Sequence, residues 1–301
     1  MIGGFTVSKL YFVIAMLFLK FNHFKGSTRI LTFFFKYLPI KLGRIKHPLG
    51  FSWQVSSRDS LNTYLSSCEP FTTEIVVSLA SKLETFICIG ANRGWYPLVV
   101  GSRNVATRIL AFECEPRIFT ELTENISMNG NKSELFQFAI GDHDYEANLY
   151  MPNNGNGGMS TLYPMQAQLS EASIIKSVIV TTLDSYFLEK NGLGRVLLLM
   201  DIEGSEMKAL KGATLFLQNN NPVLIIEINP EMLEAAGSSC TEIFEYLENL
   251  KYESYWIDER GQLCQVLPHA ELPHLAILPP HSGANYLFVK GEESWISKYK
   301  K

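Results

Sequence analysis

Short, almost wholly apolar runs recur along this chain. Each is followed by a turn carrying Gly, Asp or Glu and then, in most cases, by a stretch with helical spacing. The runs are Thr85–Ile89, Arg108–Phe112 and residues 135–140, 195–200 and 222–228. A strand with one wet face alternates polar and apolar residues, whereas a continuously apolar one is covered on both faces. The pattern therefore predicts an open, mostly parallel sheet with helices on either side. Helices are expected at 71–82, 116–129, 182–189, 205–218 and 241–250, and further strands at 146–151, 177–181, 254–257 and 285–289. No repeat of about 20–50 residues is present, which sets solenoids aside.

The first 50 residues differ from the rest. They hold eight basic side chains (Lys9, Lys20, Lys25, Arg29, Lys36, Lys41, Arg44, Lys46) and no acid, while the other 251 carry 18 basic and 30 acidic ones. An acidic body excludes non-specific nucleic-acid binding. Residues 10–19 form the most apolar run of the arm. Ten helical residues rise about 15 Å against a hydrocarbon core of about 30 Å, too short to span alone. No small-residue cleavage site follows it. With the aromatic patch at 30–38, the arm (residues 1–50) reads as a segment lying on an anionic membrane surface, or else packed on the body at 51–301. Five widely spaced cysteines fit neither a disulfide framework nor a zinc site. A cytoplasmic protein, peripheral at the membrane through its arm, is expected.

In sheets of this kind ligands bind outside the carboxyl ends of the strands. Gly90 and Gly94 follow the first run, Glu113 the second and Gly141-Asp142 the third. Asp201 and Glu203 follow the fourth, and Glu227 ends the fifth. The Gly90-x-x-x-Gly94 spacing, with Asn92 inside it, is not the G-x-G-x-x-G of dinucleotide enzymes. No phosphate-binding G-x-x-x-x-G-K-[ST] exists either. Glu113 lies where an acid accepting from two ribose hydroxyls is expected. A nucleoside without phosphates, such as S-adenosylmethionine, suits these residues.

The chain resembles the FkbM-type methyltransferases of the class I S-adenosylmethionine fold over roughly residues 85–231. The resemblance rests on Ile89-Gly90-Ala91-Asn92-Arg93-Gly94, Ala111-Phe112-Glu113-x-x-Pro116 with Asn125, and Ala139-Ile140-Gly141-Asp142. It continues in Thr181-Thr182-Leu183-Asp184, Asp201-Ile202-Glu203-Gly204-x-Glu206 with Leu210-x-Gly212-Ala213, and Pro222-Val223-x-Ile225-x-Glu227. It implies a Rossmann-like, doubly wound, mostly parallel seven-stranded sheet with an antiparallel C-terminal strand. It also implies that Gly90, Ala91, Asn92 and Gly94 wrap the methionine end of S-adenosyl-L-methionine, that Glu113 holds the ribose, and that Ala139, Ile140 and Asp142 border the adenine. Asp201 and Glu203 would flank the sulfonium, and the acceptor would be a hydroxyl on a sugar or related small molecule. Two positions depart from the family's habit: Cys88 stands where an acid precedes I-G-A-N, and Met200 where Lys precedes D-x-E-G.

Asp201, Glu203 and Glu227 are the candidate bases for a hydroxyl acceptor. No metal-ligand spacing accompanies them, and no metal is expected. Glu206 and Lys211 are expected on the exposed side of the next helix. The Gly/Asn-rich stretch 153–160 is the expected acceptor-contacting loop. His269, His274 and His281 read as surface histidines in a Pro-rich segment long enough to cover the mouth. The leading expectation is an O-methyltransferase acting on a sugar or glycolipid-like acceptor. The alternative, motivated by Cys88 and Met200, is an impaired methyltransferase-fold scaffold at a membrane surface. A nicotinamide enzyme on the same sheet is disfavoured by Asn92.

Overall fold

The computed structural model describes residues 43–65, 69–104, 106–152, 160–164, 172–188, 192–266, 283–291 and 299. The chain divides into two compact units, residues 1–68 and 69–301. In the first, β1 (Gly43–Lys46) and β2 (Ser52–Val55) form an antiparallel hairpin followed by α1 (Arg58–Leu65). Stacked His47 and Phe51 fill the turn, and Tyr64 ties the helix back by donating to the Lys46 carbonyl at 3.0 Å. The apolar run 10–19 and the patch 30–38 lie outside the described residues.

The second unit begins with α2 (Pro70–Ala80), β3 (Thr85–Ile89), α3 (Trp95–Arg103), β4 (Arg108–Phe112), α4 (Pro116–Met128) and β5 (Glu134–Phe136). Next come β6 (Ala139–Ile140), β7 (Tyr145–Pro152), β8 (Ala172–Thr181) and α5 (Leu183–Phe187). It closes with β9 (Val196–Met200), α6 (Glu206–Lys211), α7 (Thr214–Asn220), β10 (Val223–Ile228), α8 (Pro230–Ala235), α9 (Cys240–Asn249), β11 (Glu253–Ile257), β12 (Leu263–Val266) and β13 (Ala284–Val289).

The main sheet runs β12-β11-β13-β10-β9-β3-β4-β5. The five strands from β10 to β5 are parallel, and β13 is antiparallel to both β10 and β11. Seven strands with an antiparallel C-terminal one are thus present, and β12 adds an eighth on the edge. Apolar side chains cover both faces, as the continuous runs require. Ile87, Leu110, Leu198, Leu224 and Tyr286 pack in one core with Leu183, Leu210, Phe216 and Phe244 from α5, α6, α7 and α9. Their strand neighbours Phe86, Cys88, Leu197, Ile225 and Leu287 are equally buried.

Several elements differ from the sequence reading. Residues 135–140 are not one strand: the chain leaves the main sheet after Phe136, and β6 joins a separate sheet ordered β6-β8-β7. Phe136 stacks on Phe112, and Phe138 and Tyr186 meet these rings tilted or edge-on, so the apolar run there serves ring packing as well as pairing. The helix expected at 205–218 breaks at Gly212-Ala213 into α6 and α7. β8 is ten residues long, twice the expected strand. Among the described residues no helix is long and apolar enough to cross a membrane.

Candidate active site

Chain order reverses between β3 and β9. The chain steps outward from β3 through β4 to β5, then returns to the other side of β3. Parallel pairing matches Ile89 with Met200, so the turns after these strands lie side by side. The Asp201 N–H donates to the Ile89 carbonyl at 3.1 Å. Gly90 has φ +80°, and a Cβ built on it would fall 1.8 Å from the Asp201 carbonyl oxygen, so only glycine fits. The turn continues through Asn92 (φ +48°) to Gly94, which caps α3 with φ +92° and turns its bare face to Leu122. Buried Asn125 of α4 pins the turn by donating to the Arg93 carbonyl at 2.9 Å, and Arg93 pairs with Glu121 at 2.8 Å.

A cleft enclosing about 680 Å³, part of it open to solvent, lies over this junction. Gly90, Asn92, Glu113, Ala139, Ile140, Asp201 and Glu203 line it, together with Phe112, Cys114, Phe138, Leu149, Ile202 and Ser205. Ala91 is buried within the turn, Gly94 faces α4, and Glu227 stands behind Asp201; none of the three lines the cleft. Asp142 also lies off the lining, where it contacts His143 Nδ1 at 2.8 Å.

One wall was only partly legible in sequence, which placed Ser160 in the expected acceptor loop but neither Thr161 nor Leu162. The backbones of Tyr150 and Thr161 pair in both directions, at 2.8 and 3.0 Å, which brings Ser160, Thr161 and Leu162 onto the cleft. Residues 153–159 of the expected acceptor loop, and His269, His274 and His281, lie outside the described residues.

Glu113 Oε2 accepts from the Asn92 N–H at 2.9 Å and Oε1 from the Glu115 N–H at 2.8 Å. Burial pushes its carboxyl up to about 7, against the pull of those two bonds. Each oxygen keeps a second lone pair, so the carboxylate can still accept from two hydroxyls. Across the cleft, Asp201 and Glu227 are hydrogen-bonded to each other. Burial raises Asp201; the adjacent Asp201 charge, and then burial, holds Glu227 well above the carboxylate range. Two buried carboxyls in contact resist ionising together, so the pair is more basic than an isolated carboxyl. Glu69, which accepts from the Tyr96 hydroxyl at 2.6 Å, adds its charge behind the pair.

Glu203 sits in a left-handed conformation (φ +52°) and is raised well above its ordinary value by burial, Asp201 and Glu206. Glu206 corrects the sequence reading: it is 2% exposed, not on the wet side of its helix. Its Oε1 accepts from the Ile202 N–H at 3.1 Å, closing the D-x-E-G turn, and burial lifts it to about 7. Lys211 is exposed as expected. Cys88, fully buried beneath the turn, has its thiol pushed far up by burial and by the Asp201 and Glu113 charges, so it carries no charge.

An open α/β sheet with a Gly-turn, an acid just after the second strand and an acidic turn at the switch point surrounds one ligand-sized cleft. The sequence profile of the FkbM methyltransferase domain matches residues 89–254, more than half of the chain. The chain belongs to the FkbM methyltransferase family, and S-adenosylmethionine is its cofactor. Among solved structures it is similar to methyltransferase FkbM from Methylobacillus flagellatus KT, at 16% identity and TM-score 0.45, over 76% of this chain and 52% of that one. It is also similar to M. jannaschii TYW2 in complex with AdoMet, at 12% identity and TM-score 0.44, over 82% and 86%. The chain thus spans about half the length of the first of these. No curated protein matches it in sequence.

The residues present fit this cofactor. Phe112, Phe138, Ala139 and Ile140 supply an apolar slot for a base, and Glu113 supplies an acceptor for a diol. Asp201 and Glu203 place two carboxyl groups on the cleft wall where a cationic centre would lie.

Proposed function

We propose that the chain methylates a hydroxyl group on a sugar or glycolipid-like acceptor. The observation that carries this reading is the Asp201–Glu227 pair, which sets a proton-accepting oxygen on the wall of the cleft. Bound S-adenosylmethionine supplies a methyl group on positively charged sulfur. Gly90 and Asn92 let the backbone approach the amino-acid end, and Ala91 and Gly94 shape that turn. Glu113 accepts from the ribose hydroxyls, and Ala139 and Ile140 border the base, with Asp142 just beyond them. Asp201 orients the acceptor hydroxyl and takes its proton, a role contributing typically about 10²–10⁴-fold. Glu203 borders the reacting centre, and Glu227 sets the basicity of Asp201. Ser160, Thr161 and Ser205 present hydroxyls suited to a polyhydroxylated acceptor.

The test is transfer of labelled methyl from S-adenosylmethionine to a panel of sugars and lipid-linked sugars, followed by location of the label. Label on oxygen, with Asp201→Asn slower by about 10²-fold or more, is expected. Label on nitrogen, or an Asp201→Asn enzyme at the wild-type rate, would overturn the reading. A second reading, a scaffold that binds but does not turn over, is favoured by the uncharged Cys88 thiol alone. Cofactor binding with no product across the panel would support it.

A further inference from the structure

The turn after β4 touches both sides of the cleft. Glu113 lines it, and the residues just beyond reach across to the outer wall. Glu113 Oε1 accepts from the Glu115 N–H at 2.8 Å. Glu115 is 1% exposed, and its Oε1 accepts from the Arg117 N–H at 2.9 Å and from Arg117 Nε at 3.0 Å. Arg117 then leaves its own element: Nη1 and Nη2 both donate to the Pro152 carbonyl at 3.3 Å. Pro152 ends β7, where the ladder with β8 shifts register after Met151. Between the two glutamates, Cys114 packs against the cluster of Leu149, Met151 and Val178, so an apolar contact fastens the same strand. A guanidinium can grip a carboxylate and a carbonyl at once, whereas an ammonium is a point charge.

We propose that Arg117 is a positioning residue for the acceptor, tying the outer wall to the turn that holds the cofactor, so that loading the cofactor orders the wall. This rests on the reading above, in which Glu113 takes the ribose. The ribose diol fixes the Glu113 carboxylate, and that carboxylate fixes the Glu115 backbone. Glu115 in turn holds Arg117, and Arg117 holds Pro152. A ligand that orders one end of such a chain leaves less freedom to be lost when a second ligand meets the other end. The acceptor is thus bound more tightly after the cofactor than before it.

Amide hydrogen exchange of the full chain, with and without S-adenosylhomocysteine, tests the coupling. The Tyr150 and Thr161 amides, which donate to each other's carbonyls, report on the wall. The Asn92 amide, which donates to Glu113, reports on the cofactor end. The ligand is expected to slow exchange at all three by about fivefold or more. Arg117→Lys keeps a positive charge beside Glu115 and gives up the fork. It is expected to lose the slowing at Tyr150 and Thr161 and to keep it at Asn92. In methyl transfer the same variant should raise the acceptor KM about fivefold or more at an unchanged kcat, which a loss of stability alone would not do. Slowing at the wall that survives Arg117→Lys, an unchanged acceptor KM, or no slowing at the wall in the wild-type chain overturns the inference. Binding that leaves Asn92 unprotected overturns the placement of Glu113 with it. Should the lysine form not fold, Arg117→Gln takes its place. Absence of methyl transfer to any sugar overturns the functional reading, and the exchange data still decide the coupling.

Discussion

Glu113 is the residue whose environment makes the sharpest demand. With its carboxyl at about 7 in the free chain, only about a tenth of it is ionised one unit lower. If the ribose hydroxyls need the ionised form, cofactor affinity should rise with pH, by up to about tenfold between pH 6 and 8, and level off above. Titrations across that range check it, and Glu113→Gln should flatten the adenosine curve and weaken binding by at least about tenfold. Glu203 poses a different trade. A non-Gly residue at φ +52° stores about 1 kcal/mol or more. Glu203→Gly should therefore raise the unfolding free energy by about 1 kcal/mol in denaturant melts while lowering turnover.

At the scale of elements, Asp184 shows how a motif residue can be structural. Its Oδ1 accepts from the Phe216 N–H at 2.7 Å and its Oδ2 from the Leu215 N–H at 3.0 Å, capping α7 from another element. Asp184→Ala should cost about 1–2 kcal/mol in a denaturant melt and leave cofactor affinity unchanged. The elements legible in sequence are those with one dominant driving force. β3, β4, β9 and β10 are apolar at successive positions because both faces are covered, and nothing else produces that pattern. The 135–140 run misleads because Phe136 and Phe138 satisfy it through rings while the backbone changes sheets. β12 is short and half polar, and only its pairing with β11 reveals it. Of the candidate site, the strand-end residues were readable from position alone. The Thr161 wall and the burial of Glu206 were not, since both come from backbone hydrogen bonds that leave no residue pattern.

For the whole molecule, the crowd of raised carboxyls has a collective sign. Each such group binds its proton more tightly folded than unfolded, so the native state holds more protons between an ordinary carboxyl value and about 7. Stability of the free chain should then fall as pH rises from about 4.5 to about 7, the reverse of ordinary acid denaturation. Thermal midpoints at pH 5 and pH 8 without ligand check this, and S-adenosylmethionine should narrow the gap. The basic arm is the other whole-molecule question. Because β1 begins at Gly43, removing residues 1–42 spares the hairpin that a cut at residue 50 would halve. The truncated chain should be released from anionic vesicles and keep its cofactor affinity; continued vesicle binding would end the membrane proposal.

The contact of Gly90 with the Asp201 carbonyl has a counterpart nearby. A Cβ on Gly212 would fall 1.9 Å from the Gly141 carbonyl, so the turns after β3 and β9, and those after β6 and α6, meet backbone to backbone. Turns joined in this way leave natural variation almost no freedom to explore. On the outer wall, Leu149, Ser160, Thr161 and Leu162 line the cleft, and none of them is a glycine held in such a contact. New acceptor preferences should therefore arise by changing that outer wall, with the floor inherited intact, and a library built there should yield altered acceptor choice without loss of cofactor use.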